Sequence, residues 1–282
     1  MDLVEYRRAS HAIWEAMASG WDDRHAYVEQ SARPVTNRLL ERLRPEPGET
    51  ILELAAGTGI VGLAVAAALD GRGRVILSDF SPAMVEAARR RGGELGLLGV
   101  EYRVLDAEKL DLPGACVDGV VCRFGFMLMA DPAAALAETR RVLRPGGRVA
   151  CAVVGSPEGN PWSSIPGRLF VDAGHLPPPT PGDPGIHALA DPERLRSLLL
   201  RAGLGEPRID EVSASWTFRD DDDYWAFLEG LAGAISMVLA DLDAAERSRL
   251  RSEISRRVEA YRTGDGISLP ATSLVATATA PR

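Results

Sequence analysis

Residues 50–62 read Thr-Ile-Leu-Glu-Leu-Ala-Ala-Gly-Thr-Gly-Ile-Val-Gly, and they constrain this chain more than any other stretch. The apolar run 51–54 predicts a short buried strand. Gly57 and Gly59 predict a turn that needs positive φ and lets a ligand approach bare backbone. The Ala- and Val-rich segment 60–69 predicts a helix packed closely on a sheet. Its first N–H groups would face polar groups of a ligand. Glu53 places a carboxylate on the strand just before the turn.

Gly57, Gly59 and Gly62 also spell G-x-G-x-x-G, the pattern of dinucleotide sites. Asp79 follows about twenty residues past Gly59, where such a site presents ribose hydroxyls. On these residues alone, a nicotinamide dinucleotide and S-adenosylmethionine are both compatible ligands.

The 282 residues allow one elaborated domain, and the formal charge of −8 argues against a nucleic-acid partner. No segment is long and apolar enough to span a membrane. The N-terminal ten residues are charged rather than leader-like. The three cysteines, Cys116, Cys122 and Cys151, form no close pair and read as reduced core residues of a cytoplasmic protein. The four histidines, His11, His25, His175 and His187, are scattered, so no metal site is expected.

Strands and helices alternate along the chain. Residues 1–30 read as a mostly helical lead-in and 31–43 as a clearer helix. Strands are expected at 51–54, 74–77, 100–105, 117–123 and 148–154, with helices at 60–69, 81–91 and 131–143 between them. Arg144-Pro145-Gly146-Gly147 reads as a tight turn before the fifth strand. This order predicts a parallel sheet covered on both faces. Residues 156–187, rich in Pro and Gly, read as a long loop. Beyond it come a helix at 191–202, a strand at 212–218, helices at 220–239 and 244–262, and a last strand at 267–277. The acidic run 220–223 reads as a helix cap rather than a metal site.

Three acids end consecutive strands: Glu53, Asp79 and Asp106. Ligands of open α/β sheets bind at that edge. A ring of carboxylates suits a ligand with an ammonium, a sulfonium and several donors, and it would repel a pyrophosphate. Four segments then resemble, in order, the motifs of class I S-adenosylmethionine-dependent methyltransferases. They are Glu53-Leu54-Ala55-Ala56-Gly57-Thr58-Gly59, then Asp79 to Arg89 as D-x-S-x-x-M-x-x-x-A-R, then Asp106-Ala107-Glu108-Lys109-Leu110, then Arg140 to Gly147. The likeness covers residues 31–154 and is to the subgroup that includes ubiquinone and menaquinone C-methyltransferases.

The resemblance implies a single Rossmann-like, seven-stranded, doubly wound α/β domain over residues 1–282, with the last strand antiparallel and inserted beside the fifth. Residues 31–154 would be the cofactor-binding core, and 1–30, 156–187 and 220–262 a helical cap over the acceptor pocket. Gly57 and Gly59 would line the methionine portion of the cofactor, and Asp79 would hold the ribose hydroxyls. Phe80 and Met84 would flank adenine, with Asp106 and the backbone near Ala107 on its amino group. Backbone at Arg123 or Phe124 would face the methionine end, and Glu53 would reach the ammonium through a water or the turn backbone. The larger cap departs from the quinone enzymes.

Methyl transfer needs a general base only where the acceptor must lose a proton. His25 and Tyr27 are the candidates, ahead of His175 and His187. Apolar residues after the fourth strand (Phe124, Phe126, Met127, Leu128, Met129) and in the cap (Trp216, Phe218, Tyr224, Trp225, Phe227, Met237) favour a small apolar or aromatic acceptor. The expected assembly is a monomer or homodimer. A nicotinamide-dependent oxidoreductase and a non-catalytic adenosylmethionine-binding protein are the alternatives.

Overall fold

In the computed structural model, which describes residues 2–282, two long helices precede the sheet: α1 (Leu3–Asp23) and α2 (His25–Leu43). The alternating region follows as β1 (Thr50–Glu53), α3 (Ile60–Leu69), β2 (Arg74–Asp79), α4 (Pro82–Glu94), β3 (Val100–Val104), β4 (Val117–Arg123), α5 (Pro132–Val142) and β5 (Leu143–Val154). The remainder comprises α6 (Pro161–Asp172), α7 (Pro192–Arg201), β6 (Gly205–Phe218), α8 (Asp221–Leu231), α9 (Ala234–Asp241), α10 (Ala244–Arg257), β7 (Arg262–Thr263) and β8 (Gly266–Thr279).

The sheet order is β3-β2-β1-β4-β5-β8-β6, with the two-residue β7 paired to β8 off that path. Strands β1 to β5 pair in parallel, whereas β8 runs antiparallel to both β5 and β6. The chain is therefore the expected doubly wound sheet, with its last strand inserted beside the fifth. Both faces are covered. One carries α5 and α7, through Leu136, Val142, Leu195 and Leu199. The other carries α2 and α3, through Val35, Leu39, Leu43, Val61 and Val65. Burial of Val35, Leu39 and Leu43 contributes roughly 1.5–3 kcal/mol each, which ties the N-terminal segment to the sheet.

Local chemistry sets the helix starts. Ser81 accepts from Met84 N at 3.1 Å with Pro82 in the first turn, and Asp131 accepts from Ala133 N and Ala134 N ahead of Pro132. Asp220 accepts from Asp223 N at 2.8 Å. Asp223 lies 3.3 Å from Arg24 and Asp221 2.6 Å from Arg262, so the acidic run is a cap joined to arginines.

Three expectations are corrected. Helix α2 begins at His25 and runs through Pro34. The carbonyl that Pro34 leaves unpaired belongs to exposed Gln30, where water can satisfy it. Residues 144–147 are not a turn before the fifth strand. They form an irregularity inside β5, whose pairing jumps from Val117–Leu143 to Gly119–Arg148. The excursion is held from the end of the chain, as Gly146 N donates to Ala280 O at 3.0 Å and Ala280 N to Gly147 O at 2.7 Å.

Third, residues 156–187 are not all loop, because α6 occupies 161–172 despite two prolines. Pro161 takes the tolerated first position. Pro166 leaves the Trp162 carbonyl without its helical donor, and the Tyr224 hydroxyl donates to that oxygen at 2.7 Å. Tyr224→Phe should therefore destabilise the fold by about 1–3 kcal/mol, the cost of a buried carbonyl left unsatisfied. A lower urea midpoint with an unchanged slope is the expected result.

Smaller differences lie late in the chain. The helical stretch 220–239 breaks at Ala232-Gly233 into α8 and α9, and the helix expected over 244–262 ends at Arg257. Cys122 and Cys151 are register partners on β4 and β5 and fully buried, which pushes their thiols up, that of Cys151 to about 12. No helix among the described residues is long and apolar enough to cross a membrane.

Candidate cofactor site

The ends of β1, β2 and β4 meet at the glycine turn. Gly57 and Gly59 have φ of 55° and 87°, as expected, and Ala55 and Phe124 share the left-handed region at 50° and 62°. Two non-glycine residues in that region at neighbouring strand ends store strain where the sheet opens. A Cβ at Gly59 would lie 3.0 Å from the Ala88 side chain, so that glycine serves helix packing. A Cβ at Gly57 would meet no atom within 4 Å. The turn is thus open at Gly57, beside Asp79.

Asp79 is 5% exposed. Its Oδ2 accepts from Gly57 N at 2.9 Å and its Oδ1 from Ser81 N at 3.0 Å. Burial raises its pKa, against the lowering by those N–H bonds. The carboxylate shapes the turn and retains lone pairs for a second set of donors.

Glu53 lies on the other side of the turn. It is 2% exposed, and its Oε2 accepts from Gly62 N at 2.8 Å. Burial pushes its carboxyl up to about 8, opposed by Arg123 and the Gly62 N–H. A Cβ at Gly62 would come within 2.3 Å of that oxygen, so Gly62 is glycine for Glu53 rather than for a phosphate. The N-terminus of α3 is already faced by a carboxyl group. A pyrophosphate there would meet a carboxyl group where a dinucleotide site offers free N–H groups.

Helix α1 crosses the outer edge of this cleft. Glu15 takes the Ser81 hydroxyl, and also Ala83 N at 3.2 Å. Tyr6 donates to Leu128 O at 3.0 Å, and Arg7 Nε bonds Glu108 at 2.8 Å. A groove of about 430 Å³ runs between α1 and the strand ends, lined by Val4, Arg7, Arg8, His11, Phe80, Val104 and Asp106. The His11 ring stands edge-on to Phe80 with centroids 5.3 Å apart. Phe80 and Asp106 therefore line one groove. Ala107 is half-buried against the core and Met84 only 2% exposed. Arg7, His11 and Glu15 belong to this edge and carry no signature in the sequence. Helix α1 buries only Met17 and Ala18, and at this edge its contacts are polar and tertiary, while Trp21 packs on the aromatic cluster of the cap.

At the opposite end, His25 Nδ1 sits 2.8 Å from Thr58 Oγ1 in the glycine turn. Burial, then Arg91, holds its pKa down at about 4 from 6.5. Between those values the unfolded chain binds a proton that the folded chain does not. This contribution to stability is complete above pH 6.5 and is lost as the pH falls toward 4. His25→Gln should flatten that part of the stability–pH curve, read by urea unfolding across the window.

Arg123 projects from the end of β4, half-buried, with Nη1 2.9 Å from Thr36 Oγ1 on α2. Tyr27 stands among Trp216, Phe218 and Phe227, at centroid distances of 5.7, 5.8 and 6.3 Å. Among the described residues its buried hydroxyl meets no partner in hydrogen-bond geometry, and burial raises its pKa, against a smaller lowering by the nearby Ser31. Ile60, in the first turn of α3, joins this aromatic cluster. Phe126 and Met127 are core, and Met237 is 43% exposed, away from the cluster. His175 pairs with Glu246 at 2.8 Å, and His187 bonds Gly155 O at 2.7 Å and Ser163 at 3.2 Å, so both tie cap segments together.

The family profile described as "Methyltransferase domain" matches residues 51–147, which holds the turn, Asp79 and Asp106. Residues 51–147 are a class I, adenosylmethionine-dependent methyltransferase domain. A second profile, described as "Lysine methyltransferase", matches residues 11–90. The chain is 35% identical over 149 residues to the ubiquinone/menaquinone biosynthesis C-methyltransferase UbiE of Acidiphilium cryptum, covering 52% of this chain and 59% of that one. The chain thus spans little more than half of that relative's length. Phosphoethanolamine N-methyltransferase 2 of Haemonchus contortus, solved with S-adenosyl-L-methionine, shares the fold at a TM-score of 0.55 and 18% identity, over 88% of this chain and 52% of that one. The [4+2]-cyclase SpnF also aligns at 0.55, with 22% identity over 89% of this chain and 82% of its own. These two likenesses establish the fold alone, since one fold hosts different reactions.

Proposed function

We propose that the chain transfers a methyl group from S-adenosylmethionine to a small apolar or aromatic acceptor. The observation that carries this reading is the open backbone at Gly57 beside Asp79, with Glu53 facing the α3 N-terminus where a pyrophosphate would otherwise sit. In this reading Asp79 holds the ribose hydroxyls with its remaining lone pairs. Phe80 and Met84 flank the adenine, and Asp106 with the backbone near Ala107 takes its amino group. Gly57 and Gly59 give the methionine portion room, Glu53 acts on it through the turn, and Arg123 and Phe124 face it from β4.

The sulfonium supplies the leaving group and the driving force. The chain's own work is to align the acceptor with the methyl carbon and to keep water out. Residues 1–30, 156–187 and 220–262 do this as a cap, with Tyr27, Trp216 and Phe227 against the acceptor. The Tyr27 hydroxyl stays protonated, so it donates to an acceptor oxygen rather than acting as base. His25 is neutral at pH 7, but a pKa held at about 4 makes it a weak proton acceptor, so this reading assigns no general base. Quinone C-methylation remains the property of the relative that carries that name.

The test is calorimetric binding of S-adenosylhomocysteine and NADH, side by side. Binding of the first alone is expected and justifies a methyl-transfer screen over phenols, quinols and amines. Binding of NADH alone would return the glycine turn to the dinucleotide class.

A further inference from the structure

Among the described residues, no carboxylate lies within ion-pair distance of Arg123. Its guanidinium bonds the neutral Thr36 hydroxyl, and Glu53 and Glu29 act on it only through space. Burial lowers its pKa to about 10, opposed through space by Glu53 and Glu29, and the guanidinium stands 5.7 Å from the centroid of the Phe124 ring. Glu53 makes no direct ion pair with Arg123, and the Glu53 Oε2 accepts from Gly62 N instead. Arg7 is paired with Glu108, and Arg90 and Arg91 with Asp22, whereas Arg8 lines the open adenine groove. A half-buried guanidinium without a carboxylate in contact keeps N–H donors free for a ligand.

Position says which ligand atoms those are. Arg123 ends β4, next to Phe124 with its left-handed backbone, at the edge where the sheet opens. Its charge also acts on His25, which bonds Thr58 in the glycine turn. The guanidinium therefore lies on the sulfonium side of the cleft, away from the adenine groove at Phe80 and Asp106.

We infer that the Arg123 side chain, and not only its backbone, binds a carboxylate of a ligand seated at the end of β4. This rests on the adenosylmethionine reading above. Two carboxylates can reach that place, the one on the methionine portion of the cofactor and one on the acceptor. A planar guanidinium suits either through paired N–H bonds.

The experiment compares the full-length protein with Arg123→Gln, which keeps a donor for Thr36, and Arg123→Lys, which keeps the charge. Calorimetry measures S-adenosylhomocysteine, its decarboxylated analogue, and benzoate added to the S-adenosylhomocysteine complex. If the cofactor supplies the carboxylate, Arg123→Gln weakens S-adenosylhomocysteine by about 10- to 100-fold, the range for a charged hydrogen bond. The decarboxylated analogue is then unchanged, and Arg123→Lys recovers part of the loss. If the acceptor supplies it, both cofactor analogues bind normally and benzoate binds the wild-type complex but not the Arg123→Gln complex. Equal weakening of both analogues would mean a structural arginine and overturn the inference. So would no change in either analogue together with benzoate binding that is absent or insensitive to Arg123. Failure of wild type to bind S-adenosylhomocysteine would overturn the cofactor reading and this inference together, a result distinct from normal binding that ignores Arg123.

Discussion

Gly57→Val should fold and lose its cofactor. The two halves of this result have separate causes. A Cβ at Gly57 meets no protein atom within 4 Å, so the substitution breaks no contact. The backbone there is left-handed, at φ 55°, which costs an L-residue about 1–2 kcal/mol and somewhat more when it is β-branched. The protein remains folded with a modestly lower unfolding midpoint. The space that the valine fills is the space proposed for the methionine portion of S-adenosylmethionine. Binding of S-adenosylhomocysteine should fall at least about 100-fold, or about 2.7 kcal/mol. Gly57→Ala separates strain from obstruction, since it carries most of the backbone cost and a smaller side chain. A Gly57→Val protein that binds S-adenosylhomocysteine normally would make the open turn a purely structural feature.

The parts of the molecule that reasoning from residues found are those built by local chemistry. Helix α3 spans Ile60–Leu69 and strand β4 Val117–Arg123, as their apolar patterns predict, because each is bounded by residues with a local effect. Gly59 adopts the positive φ before α3, and Asp131-Pro132 starts α5. The insertion of β8 between β5 and β6 came only from the family likeness, because strand order is not written in any single strand. What stayed hidden depends on partners distant in sequence. Helix α6 survives Pro166 because Tyr224, from α8, donates to the carbonyl that the proline strands. The position of α1 depends on Glu108, Ser81 and Asp22 with Arg91, and none of these pairings has a periodic trace. Their place at strand ends marks Glu53 and Asp79 as ligand groups. Their second task, holding Gly57 N and Gly62 N, emerged only when the turn was closed. One carboxylate can do both because it has about four acceptor positions.

That double task decides what Asp79→Ala should show. Removing the carboxylate strips the acceptors from Gly57 N and Ser81 N. Each buried N–H left unsatisfied costs about 1–3 kcal/mol, so the fold should be destabilised whether or not a ligand ever binds. Cofactor affinity should fall as well, by about 1.5–3 kcal/mol for a charged acceptor of ribose hydroxyls. A weaker complex by itself would not separate lost ribose contacts from a disordered turn. The separating measurement is a cycle with S-adenosylhomocysteine and its 2′-deoxy analogue on wild type and variant. If Asp79 receives the ribose hydroxyls, deleting the 2′-hydroxyl weakens binding to wild type and has little further effect on the variant. If Asp79 only braces the turn, the deletion costs both proteins the same, and the losses add. The raised pKa of Asp79 predicts a matching pH trend for wild type. An acid whose folded pKa is raised holds a proton that the unfolded chain has released, so its contribution to stability falls as pH rises through that interval. Cofactor binding runs the other way, because the ionised form is the better acceptor for ribose hydroxyls. Opposite slopes for unfolding and for binding, both absent in Asp79→Ala, would identify this carboxylate as a group kept at some expense of stability for its ligand.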